Sequence, residues 1–275
     1  MNILLGFLLI AVVCGVAVAG MLAMRRRAPA GGFVADGDRA AGVFGVIATG
    51  FSVLLGFLIF LAFESYDASR SGAETEAVTV AQQVETAQLL PAGVREDLTG
   101  GLVCYARWVV DVEWEQMEDG TLDERLNPWG PAMFETLQGV TLETPVEESG
   151  YDKWLEQTST RQLARQDRIH GAAGVMPTPL WIALFFISLI VLGFILTFAD
   201  SGERAVVPGL YMGGTLATIM AMLLLLNFLD DPVRSGVGGL QPKAMERSLV
   251  IMDEALDAIG IELTPPCDEA GRPQQ

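Results

Sequence analysis

Two acidic residues stand where a long apolar run ends. Glu64 and Asp67 follow Val43–Phe63, and before them Gly42, Gly45, Thr49, Ser52 and Gly56 recur three or four positions apart. On a helix that spacing collects the small residues on one face. Ile59, Phe60 and Phe63 continue the stripe towards the two acids. Such a face has two uses in a membrane. Small, weakly polar side chains let a second helix approach closely. They can equally line a water-filled path in which the apolar stretch stops ions by dewetting and the acids surround the mouth. In an assembly of several copies each acid becomes a ring that attracts cations and repels anions. The plainer alternative is that Glu64 and Asp67 cap or solvate a helix end.

Asn227, Asp230 and Asp231 form a second polar group, at the end of another apolar run and just before Pro232. Carboxylates are suitable hard ligands for a divalent ion, and the group is also a candidate to pair with Arg70, Arg234 or an interfacial partner. A helix closed by proline explains the pattern as well, and two adjacent acids do not define a metal site. Enzymatic chemistry has less to stand on. Glu113, Glu115, Glu118 and Glu124 offer carboxylate pairs, as charge-rich helices do, and no phosphate loop, zinc-protease motif or dinucleotide fingerprint occurs. The one histidine, His170, rules out a multi-histidine centre and reads as structural or solvated. Cys14, Cys104 and Cys267 have no metal spacing and suggest no disulfide framework. No catalytic, cofactor or metal residues are assigned.

The elements that position these residues follow from composition. Of 275 residues, 51% are hydrophobic, and the formal charge is −17. The apolar residues gather in four blocks, Ile3–Met24, Val43–Phe63, Leu180–Phe198 and Pro208–Leu229. A helix needs roughly 20 such residues to cross about 30 Å of hydrocarbon. The expectation is an all-α chain with four transmembrane helices in a two-plus-two arrangement, partnered by the lipid bilayer. It divides as a first pair (1–63), an acidic helical domain (64–178), a second pair (179–229) and a tail (230–275). The acidic balance argues against nucleic acid. Arg25–Arg27 follow the first block rather than precede it, a stop-transfer pattern that favours a retained span over a signal peptide. The positive-inside rule puts that loop in the cytoplasm, with the acidic domain and tail outside. Arg70, Arg165, Arg168 and Arg234, on the other side, weaken the bias.

Within 64–178 the periodicity is helical. Ala73–Leu90 continues from the second span after a break at Ser71–Gly72, and a second helix covers about Arg95–Asp119. Thr121 and Glu124 resemble the opening of a short helix. Asn127–Pro131 interrupts it, and a helix resumes from there with Pro131 in its first turn. A last helix runs from Pro145 to about Ala173, with Tyr151, Leu155 and Thr158 on one face and Arg161, Arg165 and Arg168 on another. Arg234–Ser235–Gly236 reads as a turn. Met245, Leu249, Met252, Leu256 and Ile259 mark an amphipathic helix at about 242–259, whose acids favour protein packing over anionic lipid. Thr264–Gln275 reads as a frayed end.

The order of parts, with LLGFLIFLAFESYDASRSGAETEA through the second span and LLLLNFLDDPVRSGVGGLQPKAMERSL through the fourth, resembles the bacterial bestrophin-like membrane family over roughly residues 40–258. Glu64–Ser65–Tyr66–Asp67–Ala68 is similar to its signature at the end of the second span, and Leu229–Pro232 with Ser235–Gly236 to its carboxyl-terminal one. The more distant bestrophins are pentameric ion channels, mostly anion-selective, whose second span lines the pore with an apolar neck. The resemblance thus implies a homo-oligomer, possible as a pentamer, in the bacterial inner membrane. It implies a path along Thr49, Ser52 and Gly56, a gate near Phe60 and Phe63, and inorganic ions as partners. Leu58 and Ile59 stand where bestrophins carry Arg and Asn after the Phe, and Ala68–Ser69–Arg70 where they carry aromatic and basic residues after Tyr–Asp, and the acids point to cations. The resemblance also implies a cytoplasmic domain, against the Arg25–Arg27 reading. Beside the channel stands a non-enzymatic alternative, a membrane scaffold or sensor whose acidic domain binds a protein.

Overall fold

Backbone polar groups inside lipid must be satisfied within the chain, and an apolar run meets that demand as a helix. In the computed structural model, which describes residues 3–34, 36–120, 127–233 and 238–274, four helices are long and apolar enough to cross a membrane. They are α1 (Ile3–Arg27), α2 (Gly37–Ala87), α7 (Thr178–Thr197) and α8 (Val206–Asp230). Between and after them lie α3 (Ala92–Trp108), a π turn (Val109–Glu113), α4 (Trp114–Glu118), α5 (Trp129–Gln138), α6 (Pro145–Ala172) and α9 (Lys243–Ala258). No strand occurs among the described residues, and the chain is all-α. It divides into two compact units, Met1–Ser65 with Val175–Asp230, and Tyr66–Gly174 with Asp231–Gln275.

In the first unit α1 packs on α8, and α7 pairs with α8 as a hairpin. Small residues permit the α1–α8 approach: a Cβ on Gly213 would lie 3.2 Å from Val18, and one on Gly209 3.5 Å from it. Among the helical glycines of this unit, those in close contact are therefore on α8. Arg25 donates to the backbone carbonyls of Ser201 and Glu203, while Asp200 accepts the Gly31 amide. These bonds tie the α1–α2 connection to the α7–α8 turn.

The second unit is built on α6 and on the part of α2 beyond the apolar run. Helix α6 starts with a complete capping box, Thr144 accepting the Glu147 amide and Glu147 accepting the Thr144 amide. Val80, Val84, Leu98, Leu102, Trp154, Met245, Met252 and Leu256 share one core. The amphipathic α9 thus packs on protein, and Ser248 donates to the Ala77 carbonyl.

Three expectations are corrected. No break occurs at Ser71–Gly72; α2 is one helix of 51 residues. Gly72 is there for close approach, since a Cβ would sit 2.6 Å from the Ala164 carbonyl oxygen and 2.7 Å from the Arg168 amide nitrogen. Ser69 reinforces the contact by donating to the Arg168 carbonyl at 2.8 Å. Two of the three cysteines do pair: Cys104 and Cys267, 163 positions apart, are bonded as a disulfide, and Cys14 is free. Nor are residues 264–274 frayed. Trp129 Nε1 donates to the Gly271 carbonyl at 2.7 Å, Arg107 donates to that of Asp268, and Gly271 lies against the α3 backbone at φ +74°. The short helix expected at Thr121 and Glu124 and the turn at Arg234–Ser235–Gly236 lie outside the described residues.

Candidate functional site

Helix α2 carries the sequence-predicted stripe on a face that the other described residues leave exposed. Phe51, Leu55, Leu58 and Ala62 are its buried side. Thr49, Ser52, Gly56, Glu64 and Asp67 are exposed, Phe60 and Phe63 are 55% and 52% exposed, and Ile59 is half-buried. A Cβ on Gly42, Gly45 or Gly56 would meet nothing within 4 Å. Among the described residues, these glycines pack on no other helix. The Glu64 and Asp67 side chains make no hydrogen bond or ion pair with any described residue, and both lie inside α2 rather than at its end. The second group behaves differently. Asp230 accepts the amides of Val175 and Met176 at 2.7 and 2.8 Å, closing the approach to α7. Asn227 is half-buried on α8, and Asp231 follows its last residue.

The second unit contains a charge cluster that periodicity did not single out. Arg168, on α6, is 1% exposed and bridges two carboxylates, Glu76 of α2 at 2.6 Å and Glu113 of the π turn at 2.6 Å. Arg165 reaches Glu113 from the next turn of α6, at 2.9 Å. Tyr105 donates to Glu76 at 2.6 Å, and the Arg161 guanidinium lies 4.8 Å over the Tyr105 ring. Gln83 joins the far end, accepting from Arg161 Nη1 at 2.7 Å and donating to Thr158 at 3.0 Å. Burial pushes the Glu113 carboxyl up, but Arg168 and Arg165 outweigh it and hold it below the ordinary value of 4.5. Burial, then the Glu76 charge, raise the Tyr105 phenol well above its usual range, so it stays a donor. Burial lowers Arg168 too, but Glu76 and Glu113 more than reverse this.

A cavity of about 550 Å³ opens beside this cluster, between α5 and α6. Trp154, Leu155, Met133 and Phe134 supply apolar wall, and Thr158 and Arg161 polar wall. The cluster carried a sequence signal. Glu76 and Gln83 sit in register with Ala77, Val80, Val84 and Ala87, and Arg161 and Arg168 with Ala164 and Gly171. A charged residue spaced among the small and apolar residues of an inward face needs a buried partner.

Residues 10–235 match the bestrophin-like domain, and the chain belongs to that family. A bestrophin homolog from Klebsiella pneumoniae, crystallised as a leucine-to-threonine variant, superposes with a TM-score of 0.64 at 14% identity, over 94% of this chain and all 100% of that one. A membrane protein crystallised as a glycine-to-alanine variant gives 0.65 at 15% identity, over 95% and 100%. At such identities the likeness is one of fold. Among curated proteins no significant match is found. The chain is a multi-pass, bestrophin-like membrane protein.

Proposed function

We propose that this chain is the subunit of an oligomeric ion channel, possible as a homopentamer, in the bacterial inner membrane. The observation that carries the reading is the uncovered α2 stripe within a bestrophin-like fold. Thr49, Ser52 and Gly56 would face the path, and Ile59, Phe60 and Phe63 would form a constriction closed by dewetting. Rings of Glu64 and Asp67 would favour cations, in keeping with the net charge of −17. Purified protein in vesicles, with cation and anion flux measured separately, is the test. Cation flux lowered in selectivity by Glu64→Gln or Asp67→Asn supports the assignment. Absence of any flux over a wide range of voltage and pH, from correctly inserted protein, would sink it and leave the scaffold alternative.

The acidic domain then lies in the periplasm, opposite to the orientation that the bestrophin resemblance implies. Two independent features support this. Arg25–Arg27 favour a cytoplasmic first loop, and the Cys104–Cys267 bond is of a kind that persists in an oxidising compartment. Intact cells treated with a thiol-blocking maleimide should leave both cysteines unmodified until reduction, and protease added to spheroplasts should cut the domain. Free thiols in cells, with cleavage only in inverted vesicles, would reverse the orientation.

A further inference from the structure

The cluster does not balance its charge. Three guanidiniums, those of the buried Arg161 and Arg168 and of the partly exposed Arg165, meet two buried carboxylates, those of Glu76 and Glu113. The two carboxylates are taken by Arg168 and Arg165. The excess positive charge falls on Arg161. It is 3% exposed, and its one hydrogen bond is to a neutral amide, that of Gln83, with no carboxylate in ion-pair range among the described residues. Burial lowers its affinity for the proton, which the Tyr105 and Glu76 fields oppose. A buried cation held in this way is costly unless a counter-charge reaches it. Arg161 lines the 550 Å³ cavity, a volume in the range of small-molecule sites.

We propose that the cavity between α5 and α6 is a binding site for a small organic monocarboxylate with an apolar body. The carboxylate would complete the ion pair that Arg161 lacks, with Thr158 and Gln162 as further polar neighbours. The body would lie against Trp154, Leu155, Met133 and Phe134. One unit of excess charge fits a monoanion. A phosphate dianion would bring a second negative charge towards Glu76 and Glu113, which bond Tyr105 and Arg165 of the cavity wall. The site lies within the second unit and its occupancy is read by binding, so it stands or falls apart from conduction.

The test uses the full-length protein in detergent and phenylacetate as probe, with phenylacetamide as its neutral isostere, followed by calorimetry. Phenylacetate should bind saturably at millimolar concentration, and the amide about tenfold or more weaker. Arg161→Gln should abolish binding. Leu155→Glu, at a position 38% exposed on the rim, should weaken binding by a similar factor without disturbing the core. Failure of the wild-type protein to bind, or equal binding of acid and amide, overturns the proposal. So does unchanged binding in Leu155→Glu, whatever the folding of Arg161→Gln. If the probe does not bind and Arg161→Gln instead dissociates the oligomer, the counter-charge comes from a second copy and the small-molecule site is refuted.

Discussion

Helix α2 handles polar residues in two opposite ways along its length. Over residues 42–67 the polar and small side chains Thr49, Ser52, Gly56, Glu64 and Asp67 are exposed. Over residues 69–87 the polar side chains Ser69, Glu76 and Gln83 are fully buried, and each is hydrogen-bonded. A membrane segment gains nothing by turning apolar groups inward, because lipid is as apolar as a core. Its polar groups can therefore face outward only if something other than lipid meets them. In the second unit water drives apolar surface inward, and a polar group enters the core only with a partner. Under the proposed function the first stretch is a surface to be covered or wetted, whereas the second is a finished structural joint.

The sharpest way to break this contrast is to remove the centre of the joint. Arg168→Met leaves Glu76 and Glu113 buried without their shared counter-ion and should cost about 3–5 kcal/mol. Urea unfolding of the detergent-solubilised protein, followed by tryptophan fluorescence, measures it. Arg168→Lys should recover only part, because an ammonium cannot span two carboxylates as a planar guanidinium does. A loss below about 1 kcal/mol for Arg168→Met would mean that the pairs are as weak as surface ones.

Opening the disulfide comes next. Cys104→Ala with Cys267→Ala should lower stability by about 2–4 kcal/mol, since the bond closes a long loop. Limited proteolysis should then cut within 259–274 before the rest of the domain. Tail resistance equal to that of the native protein would show that Trp129, Arg107 and the Gly271 contact suffice to hold it.

Acid should dissolve the joint selectively. The Glu113 pKa is held below 4.5 in the folded chain, so its contribution is complete above that value and is lost as pH falls below it. Glu113→Gln should be less stable at neutral pH by about 1–3 kcal/mol. The gap from wild type should narrow as pH drops from 5 towards 3. Parallel stability curves over that window would show that Glu113 does not carry the linkage.

How far these features were legible depends on how local their causes are. The four spans were readable because a bilayer imposes one requirement, length of apolar sequence, that each segment meets alone. The helix from Pro145 was readable from its own periodicity, and α9 from the spacing of Met245, Leu249, Met252 and Leu256. The Glu76–Arg168 pair joins positions 92 apart and the disulfide positions 163 apart, and only the packed fold brings either together. The arginines of α6 were read as one face of a helix, with no partners visible. Gly72 shows the same limit. Beside Ser71 it has the composition of a helix break, and its actual cause, the backbone of α6, lies about a hundred positions downstream.

That glycine supplies the smallest and cleanest comparison, because α2 also carries Gly56. Gly72→Ala would push a Cβ against two backbone atoms at 2.6 and 2.7 Å, which a helix cannot relieve by turning a side chain. It should cost about 1–3 kcal/mol in the same unfolding measurement, despite alanine's better helix propensity. Gly56→Ala meets open space and should stabilise the isolated chain by up to about 1 kcal/mol. Any harm from Gly56→Ala must therefore come from outside the chain. Weakened assembly would mean that a second copy packs against Gly56, whereas intact assembly with altered flux would mean that Gly56 faces the path. If neither changes, the stripe faces lipid, and the contrast between the two halves of α2 loses its functional meaning.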